Sequence, residues 1–210
     1  MQCLSENHKT MNIETLRRLL KSLSAQPHGL LNKRNRLFIR QPADSFRPAA
    51  VLLAVVPHQE EWKILLTKRA ETLKHHTGQV AFPGGGYDQE DASLTVTALR
   101  EAHEEVGTPY HTWETFDIIP PCYTPSGYAV YTVPALSETE PKLILNPSEV
   151  AEAFYVPLSF VLDTANYRQR IFQYQNQTAQ APALPYLHYD IWGLTASILY
   201  SMAEHFRHYR

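Results

Sequence analysis

The feature that most constrains this chain is a run of three glycines, Gly84-Gly85-Gly86, leading into a helix-forming segment that closes with Arg100-Glu101-Ala102-His103-Glu104-Glu105. The glycines break any regular pattern, and residues from about 91 to 106 read as the helix. Val96, Leu99 and Val106 recur at helical spacing and give it a core-facing stripe. Ala92, Ala98 and Ala102 can pack closely beside them, and Gly107 is placed to stop the helix. Glu101 and Glu105 are one turn apart and Glu104 lies beside them, so the three carboxylates share one side. Like charges at this spacing repel by about 0.2–0.5 kcal/mol per pair. They also sit at the helix end where the macrodipole disfavours negative charge. The ordinary reading of a charge run is a solvated face. A sequence tuned only for stability would put lysine here, whereas a divalent cation reverses the sign of the repulsion. Hard oxygen ligands of this kind suit Mg²⁺ or Mn²⁺.

With these residues in place, the segment resembles the Nudix box, G-x5-E-x7-R-E-U-x-E-E-x-G-U with U aliphatic. Gly86, Arg100, Glu101, Glu104, Glu105 and Gly107 match at the required spacing, and Ala102 is a small apolar residue at the first U. Ala92 stands where the box has glutamate, and Thr108 where it has an aliphatic residue. Asp91 and Glu90 are close by but out of register. Upstream, Leu65-Leu66-Thr67-Lys68-Arg69-Ala70 through Gly78 to Phe82-Pro83-Gly84-Gly85 is similar to the signature of the coenzyme A pyrophosphatase branch of Nudix hydrolases. That branch also commonly carries Asp-Ala where other members have glutamate, as in Asp91-Ala92. A third match is Ile191-Trp192-Gly193-Leu194-Thr195-Ala196. The resemblance runs from about residue 48 to the C-terminus. It implies an α/β fold, a Nudix-type α/β/α sandwich with a mixed β-sheet and helices at both ends of the chain. It further implies metal-dependent hydrolysis of the diphosphate of coenzyme A or acyl-coenzyme A, giving 3′,5′-ADP and 4′-phosphopantetheine or its acyl form. The alternatives are another nucleoside diphosphate derivative such as ADP-ribose, or a catalytically silent nucleotide-binding module.

On this reading Glu101 and Glu105 are the first choices for metal ligands, with Glu104 as a third ligand or as the partner of Arg100. A carbonyl of Gly85 or Gly86 can complete the coordination, because glycine lets backbone approach closely. Arg100 has a positioning role beside the carboxylates, and the general base stays open. Lys68, Arg69, Lys74, His75 and His76 precede the box. Each is an ordinary solvated residue by itself, but as a set they are suited to receive phosphates, with Gly84 and Gly85 lining the approach. Tyr128, like Tyr123 and Tyr131, either stacks on adenine or packs in the core. Around Ala92 an apolar or filled pocket is expected, with Asp91 as the helix N-cap and Arg100 paired mainly to Glu104 or another acid.

The chain of 210 residues suits one domain, with residues 1–47 as a helical N-terminal extension and 48–210 as the core. A formal charge of −2 argues against a nucleic-acid surface. Two cysteines, Cys3 and Cys122, make no disulfide framework, and no signal pattern or long apolar span is present, so a soluble cytoplasmic protein is expected. The expected partner is a small nucleotide, with no nucleic acid and no membrane, and a homodimer stays open. Residues 11–24 predict an amphipathic helix and 25–47 an irregular linker or clasp. Strands are expected at 49–57, 62–69, 79–82, 113–119, 127–136, 150–156 and 167–174, and a short helix at 157–162. Ala179–Pro185 reads as a loop, and 189–209 as one long helix.

Overall fold

The computed structural model describes residues 11–25, 29–39, 42, 45–70, 78–174 and 177–209. The apolar run that begins at Ala49 becomes the central strand β1 (Arg47–His58). Its side chains alternate between two apolar clusters. Ala50, Leu52, Ala54 and Val56 face one layer, and Leu53 and Val55 face the other. A two-residue turn, Gln59-Glu60 with φ of 52° and 63°, folds β1 back into β2 (Glu61–Arg69). Positive φ at both positions matches the twist that a tight hairpin needs.

The two strands then part. β1 pairs with β2 only from Val55 to His58. Beyond that point β3 (Val80–Ala81) pairs with β2, and β4 (Gly84–Gly86) pairs with β1 opposite Ala49–Val51. The glycine triplet is therefore a short strand wedged into a fork of the sheet, not the pattern-breaking turn expected. β7 (Tyr128–Leu136) runs parallel to β1 along Arg47–Val55. β5 (Glu114–Thr115) and β6 (Ile119–Tyr123) pair with β7, and β8 (Val150–Pro157) pairs with β2. The result is an eight-stranded mixed sheet.

Helix α3 (Leu94–Val106) covers one face, burying Ala98, Ala102 and Val106. The other face carries α1 (Ile13–Ser22), α4 (Leu158–Leu162) and α5 (Gly193–Tyr209), whose Leu16, Leu19, Val161, Leu199 and Met202 share one apolar cluster. This is the expected α/β/α sandwich with a mixed sheet and helices at both ends. Where an irregular clasp was expected, Gly29–Phe38 forms helix α2. It is fixed by Asn35, whose amide donates to Pro121 O at 2.9 Å and whose oxygen accepts from Tyr123 N at 3.0 Å. The expected strand at 113–119 is divided into β5 and β6.

Two further expectations are corrected near the C-terminus. The Ala-Pro stretch is not a loop. It lies in β10 (Gln177–Tyr186), which pairs with β9 (Arg168–Tyr174) and β11 (Tyr189–Trp192). The prolines are tolerated because the two pairings overlap only at Ala183. Pro182 has a neighbour only in β9 and Pro185 only in β11, so each can turn its missing N–H to an open side. The last helix also starts later than expected, at Gly193, because Tyr189–Trp192 is strand β11.

The α3 C-terminus depends on Gly107, which adopts φ 75° and donates its N–H to His103 O at 2.9 Å. A Cβ there would lie 2.7 Å from Ile144 Cβ. Gly107→Ala is expected to lower unfolding free energy by about 1–3 kcal/mol in a urea titration. An unchanged midpoint would contradict this reading of the helix stop.

Candidate active site

The last turns of α3 lie over the fork between β1 and β2. Glu105 is only 2% exposed, and its Oε2 accepts from Gly84 N–H at 3.2 Å. Glu101 presses against Gly85 so closely that a Cβ there would sit 2.5 Å from the carboxyl carbon. A side chain at this position would have to push the Glu101 carboxylate aside, so glycine leaves that carboxylate in place. The third carboxylate was not anticipated. Glu149 precedes β8, and the segment before it docks on the open end of α3, where Ile144 N donates to Val106 O at 2.9 Å and Asn146 N to Glu105 O at 3.0 Å. These bonds satisfy carbonyls that the helix leaves unpaired. Asn146 then turns the chain, donating from Nδ2 to Glu149 Oε1 at 3.1 Å. Ala70 N holds the Glu149 carbonyl at 2.8 Å. One carboxylate oxygen from each of Glu101, Glu105 and Glu149 lies within 4.8 Å of the others.

Burial pushes the Glu105 carboxyl up to about 8, and the neighbouring Glu101 and Glu149 add to the shift. The Gly84 N–H and Arg69 oppose it. Burial also raises Glu101, with Arg100 pulling the other way. Glu105, buried beside two partly exposed carboxylates, is stabilised by either a proton or a cation. An all-oxygen, carboxylate-rich donor set fits a hard divalent ion.

Arg100 organises the approach to the trio. Its Nε meets Asp91 Oδ1 and its Nη2 meets Asp91 Oδ2, both at 3.0 Å. Nη1 reaches Glu101 at 3.0 Å and Glu104 at 3.1 Å. The forked pair to Asp91 is the main one, so Arg100 takes its partner from the acid just before Ala92. Asp91 is 6% exposed and also accepts from Thr97 Oγ1 at 2.8 Å. The expectation of Asp91 as N-cap is corrected, because Ser93 caps α3 by accepting from Val96 N. Ala92 is exposed, so the apolar or filled pocket expected around it is not what the described residues form. The expected stripe is also shifted. Thr97, Ala98 and Ala102 are buried where Val96 and Leu99 are only half-buried.

The remaining expected site residues are dispersed. Glu104 is 48% exposed and bonded to Arg100 at the rim. The Gly86 carbonyl, expected as a metal ligand, accepts from Arg100 Nη2 at 3.0 Å. Arg69 faces the trio, with Nη1 3.8 Å from Glu105 Oε1. Lys68, the preceding residue on β2, is paired with Val80 and Glu152, and no ion pair joins it to the trio among the described residues. Tyr128 lies at the start of β7 under the Arg47 guanidinium, 4.2 Å from the ring centre. Lys74, His75 and His76 lie outside the described residues. His103 is exposed, as a surface histidine.

Arg100 holds the Asp91 carboxyl down at about 2, against an ordinary 3.8. A depressed carboxyl contributes stability above its unfolded value and loses it as pH falls through the folded one. The pair's contribution is therefore expected to fade between pH 3.8 and about 2. Asp91→Asn should cost about 2–4 kcal/mol in denaturant titrations at neutral pH and flatten this acid limb. Retention of full stability would show that Arg100 has another anchor.

Comparison with known proteins agrees with the geometry. Residues 46–174 match the NUDIX domain. The chain is 39% identical to an uncharacterized Nudix hydrolase NudL of Photorhabdus laumondii over 162 residues, covering 77% of this chain and 86% of that protein. It is 40% identical over 157 residues to the NudL of Enterobacter sp. strain 638, covering 75% and 81%. A solved Nudix hydrolase of M. smegmatis, RenU, aligns with 53% of this chain and 71% of its own, at a TM-score of 0.46 and 26% identity. With the matched domain spanning more than half of its length, the chain belongs to the Nudix hydrolase family.

Proposed function

We propose that this Nudix pyrophosphohydrolase cleaves the diphosphate of coenzyme A or an acyl-coenzyme A. One water is consumed, and 3′,5′-ADP and 4′-phosphopantetheine or its acyl form are released. The observation that carries the hydrolytic part is the trio Glu101, Glu105 and Glu149 at the fork of the sheet. These three residues would hold a divalent cation, Mg²⁺ or Mn²⁺. Such an ion supplies charge neutralisation at the diphosphate and a more acidic water. The chain's own groups do the rest. Arg100 keeps Glu101 and Glu104 together, and Asp91 locks Arg100 by two parallel bonds. Gly85 brings backbone against Glu101 and lets a substrate phosphate approach the strand closely.

The coenzyme A part of the proposal rests on the segment from Leu65 to Gly85 and on its relation to Ile191–Ala196. These far-separated stretches, each similar to one signature, meet in space. Thr195 Oγ1 donates to Val80 O at 3.1 Å, tying the start of α5 to β3 beside the glycine strand. Arg69 of the same segment faces the trio. The Thr195–Val80 bond joins the two signature stretches on the sheet face that carries α5, and Arg69 carries the first of them to the carboxylates.

Glu101→Gln, Glu105→Gln and Glu149→Gln should each lower turnover by roughly two orders of magnitude or more with the fold retained by circular dichroism. Near-normal turnover at saturating Mg²⁺ in any of them would remove that residue from the ligand set. In a panel of coenzyme A, acetyl-coenzyme A, ADP-ribose, NADH and diadenosine polyphosphates, coenzyme A or its acetyl form should give the highest kcat/KM. Removing the 3′-phosphate, as in dephospho-coenzyme A, should lower kcat/KM about tenfold through loss of a charge-assisted contact. A preference for ADP-ribose, or equal rates with and without that phosphate, would overturn the coenzyme A assignment.

A further inference from the structure

Arg69 ends β2 where its register against β8 shifts, between Lys68 and Arg69. Its main chain is fixed, with N–H donating to Gln79 O at 3.0 Å. The next residue, Ala70, holds the carbonyl of Glu149 at 2.8 Å. Its guanidinium is not fixed in the same way. Nη1 stands 3.8 Å from Glu105 Oε1, within ion-pair range but too far for a hydrogen bond. Nε is buried and has no acceptor among the described residues. A buried N–H of a cation without an acceptor is rare in a native protein and points to a partner that arrives later. The side chain keeps 31% exposure, so the guanidinium has room to reorient.

Charge balance says what that partner is. Among the described residues, Arg69 is the cation that faces Glu105, while Arg100 is committed to Asp91, Glu101 and Glu104. The other Glu105 oxygen is held by Gly84 N–H. A cation held by the trio would therefore meet Arg69 as its competitor at Glu105. Once displaced, it is a mobile cation beside the position of the substrate's diphosphate, and its Nε and one Nη form the side-on fork that fits two phosphate oxygens.

We propose that Arg69 is the internal counterion of the carboxylate trio in the metal-free protein, and that it gives up Glu105 on metal binding and turns its fork to a diphosphate oxygen of the substrate. This rests on the reading that Glu101, Glu105 and Glu149 hold a divalent ion. The exchange leaves Arg69 without its carboxylate once metal is bound, so the substrate's phosphate is its next partner. The carboxylates first face Arg69, and later the metal while Arg69 faces phosphate. Metal and substrate binding are thereby coupled through one side chain.

The test is Mg²⁺ titration calorimetry on the full chain without substrate, together with steady-state kinetics, for wild type, Arg69→Met and Arg69→Lys. In titrations from about pH 7 to 9.5, the limiting high-pH Mg²⁺ affinity of Arg69→Met, reached where Glu105 is ionised, should be about threefold or more above wild type, because a repelling cation is gone. Its KM for the diphosphate should rise about tenfold or more. Arg69→Lys keeps the charge but not the fork, so its Mg²⁺ affinity should stay within about twofold of wild type while KM recovers only in part. A merely structural residue would weaken both properties or move neither. Unchanged or weaker Mg²⁺ binding by a folded Arg69→Met overturns the proposal. Should that variant not fold, Arg69→Gln carries the same expectation. If wild type itself binds no Mg²⁺, the metal-site reading fails and the exchange fails with it. That result is distinct from wild-type binding that Arg69→Met leaves unaltered.

Discussion

The parting of β1 and β2 is the constraint on which the site depends. The hairpin holds the strands together over Val55–His58, and the gap beyond is filled from the same connection by β3 and β4. The filler must be thin on the side that faces α3, because Glu101 already occupies the space where a side chain of Gly85 would stand. Gly84 adds a backbone N–H to Glu105 from the same short strand. A sheet paired along its full length would leave no room for carboxylates there. The fold thus brings acidic side chains against backbone that carries donors and no bulk.

Acids gathered in this way repel, and the surrounding structure shows how the chain tolerates it. Arg100 is shared among Asp91, Glu101 and Glu104, with Asp91 as the buried anchor. Thr97 braces Asp91 from the helix. The open end of α3, where the dipole and unpaired carbonyls disfavour an acid, is capped by amides of Ile144 and Asn146. The same capping segment delivers Glu149. Gly107 permits the close approach of Ile144, so the helix stop and the third carboxylate are one construction.

Much of this was legible in the sequence. The one-turn spacing of Glu101 and Glu105 anticipates two members of the trio, while Glu104 stands exposed at the rim, and the aliphatic run from Ala49 forms the central strand. Two site residues were missed for different reasons. Glu149 is far from the other acids along the chain, and only the docking of Asn146 on the helix end brings it in. Asp91 was visible but assigned to capping, because its register with Arg100 depends on a turn before the helix that periodicity does not report. The glycine triplet was read as a break because glycine has low strand propensity, yet pairing with β1 overrides it. Pro182 and Pro185 misled in the same direction, since alternating open sides of β10 are a tertiary fact. No helix among the described residues is long and apolar enough to cross a membrane.

The central claim is that the trio exchanges the proton of its buried member, Glu105, for a divalent cation, and proton counting tests it most directly. Glu105, pushed up to about 8 even with Arg69 beside it, carries a proton in most metal-free molecules at neutral pH, and Arg69 is its counterion in the ionised remainder and above about pH 8. The unfolded chain has lost that proton above 4.5, so metal-free stability should fall as pH rises from 4.5 to about 8. Mg²⁺ binding must then expel the proton, and affinity should rise over the same range. Calorimetric titration at about pH 7 in two buffers of different ionisation enthalpy should report release of roughly one proton per Mg²⁺, falling toward zero above about pH 9. Binding with no proton release at neutral pH, or release unaffected by Glu105→Gln, would contradict the account.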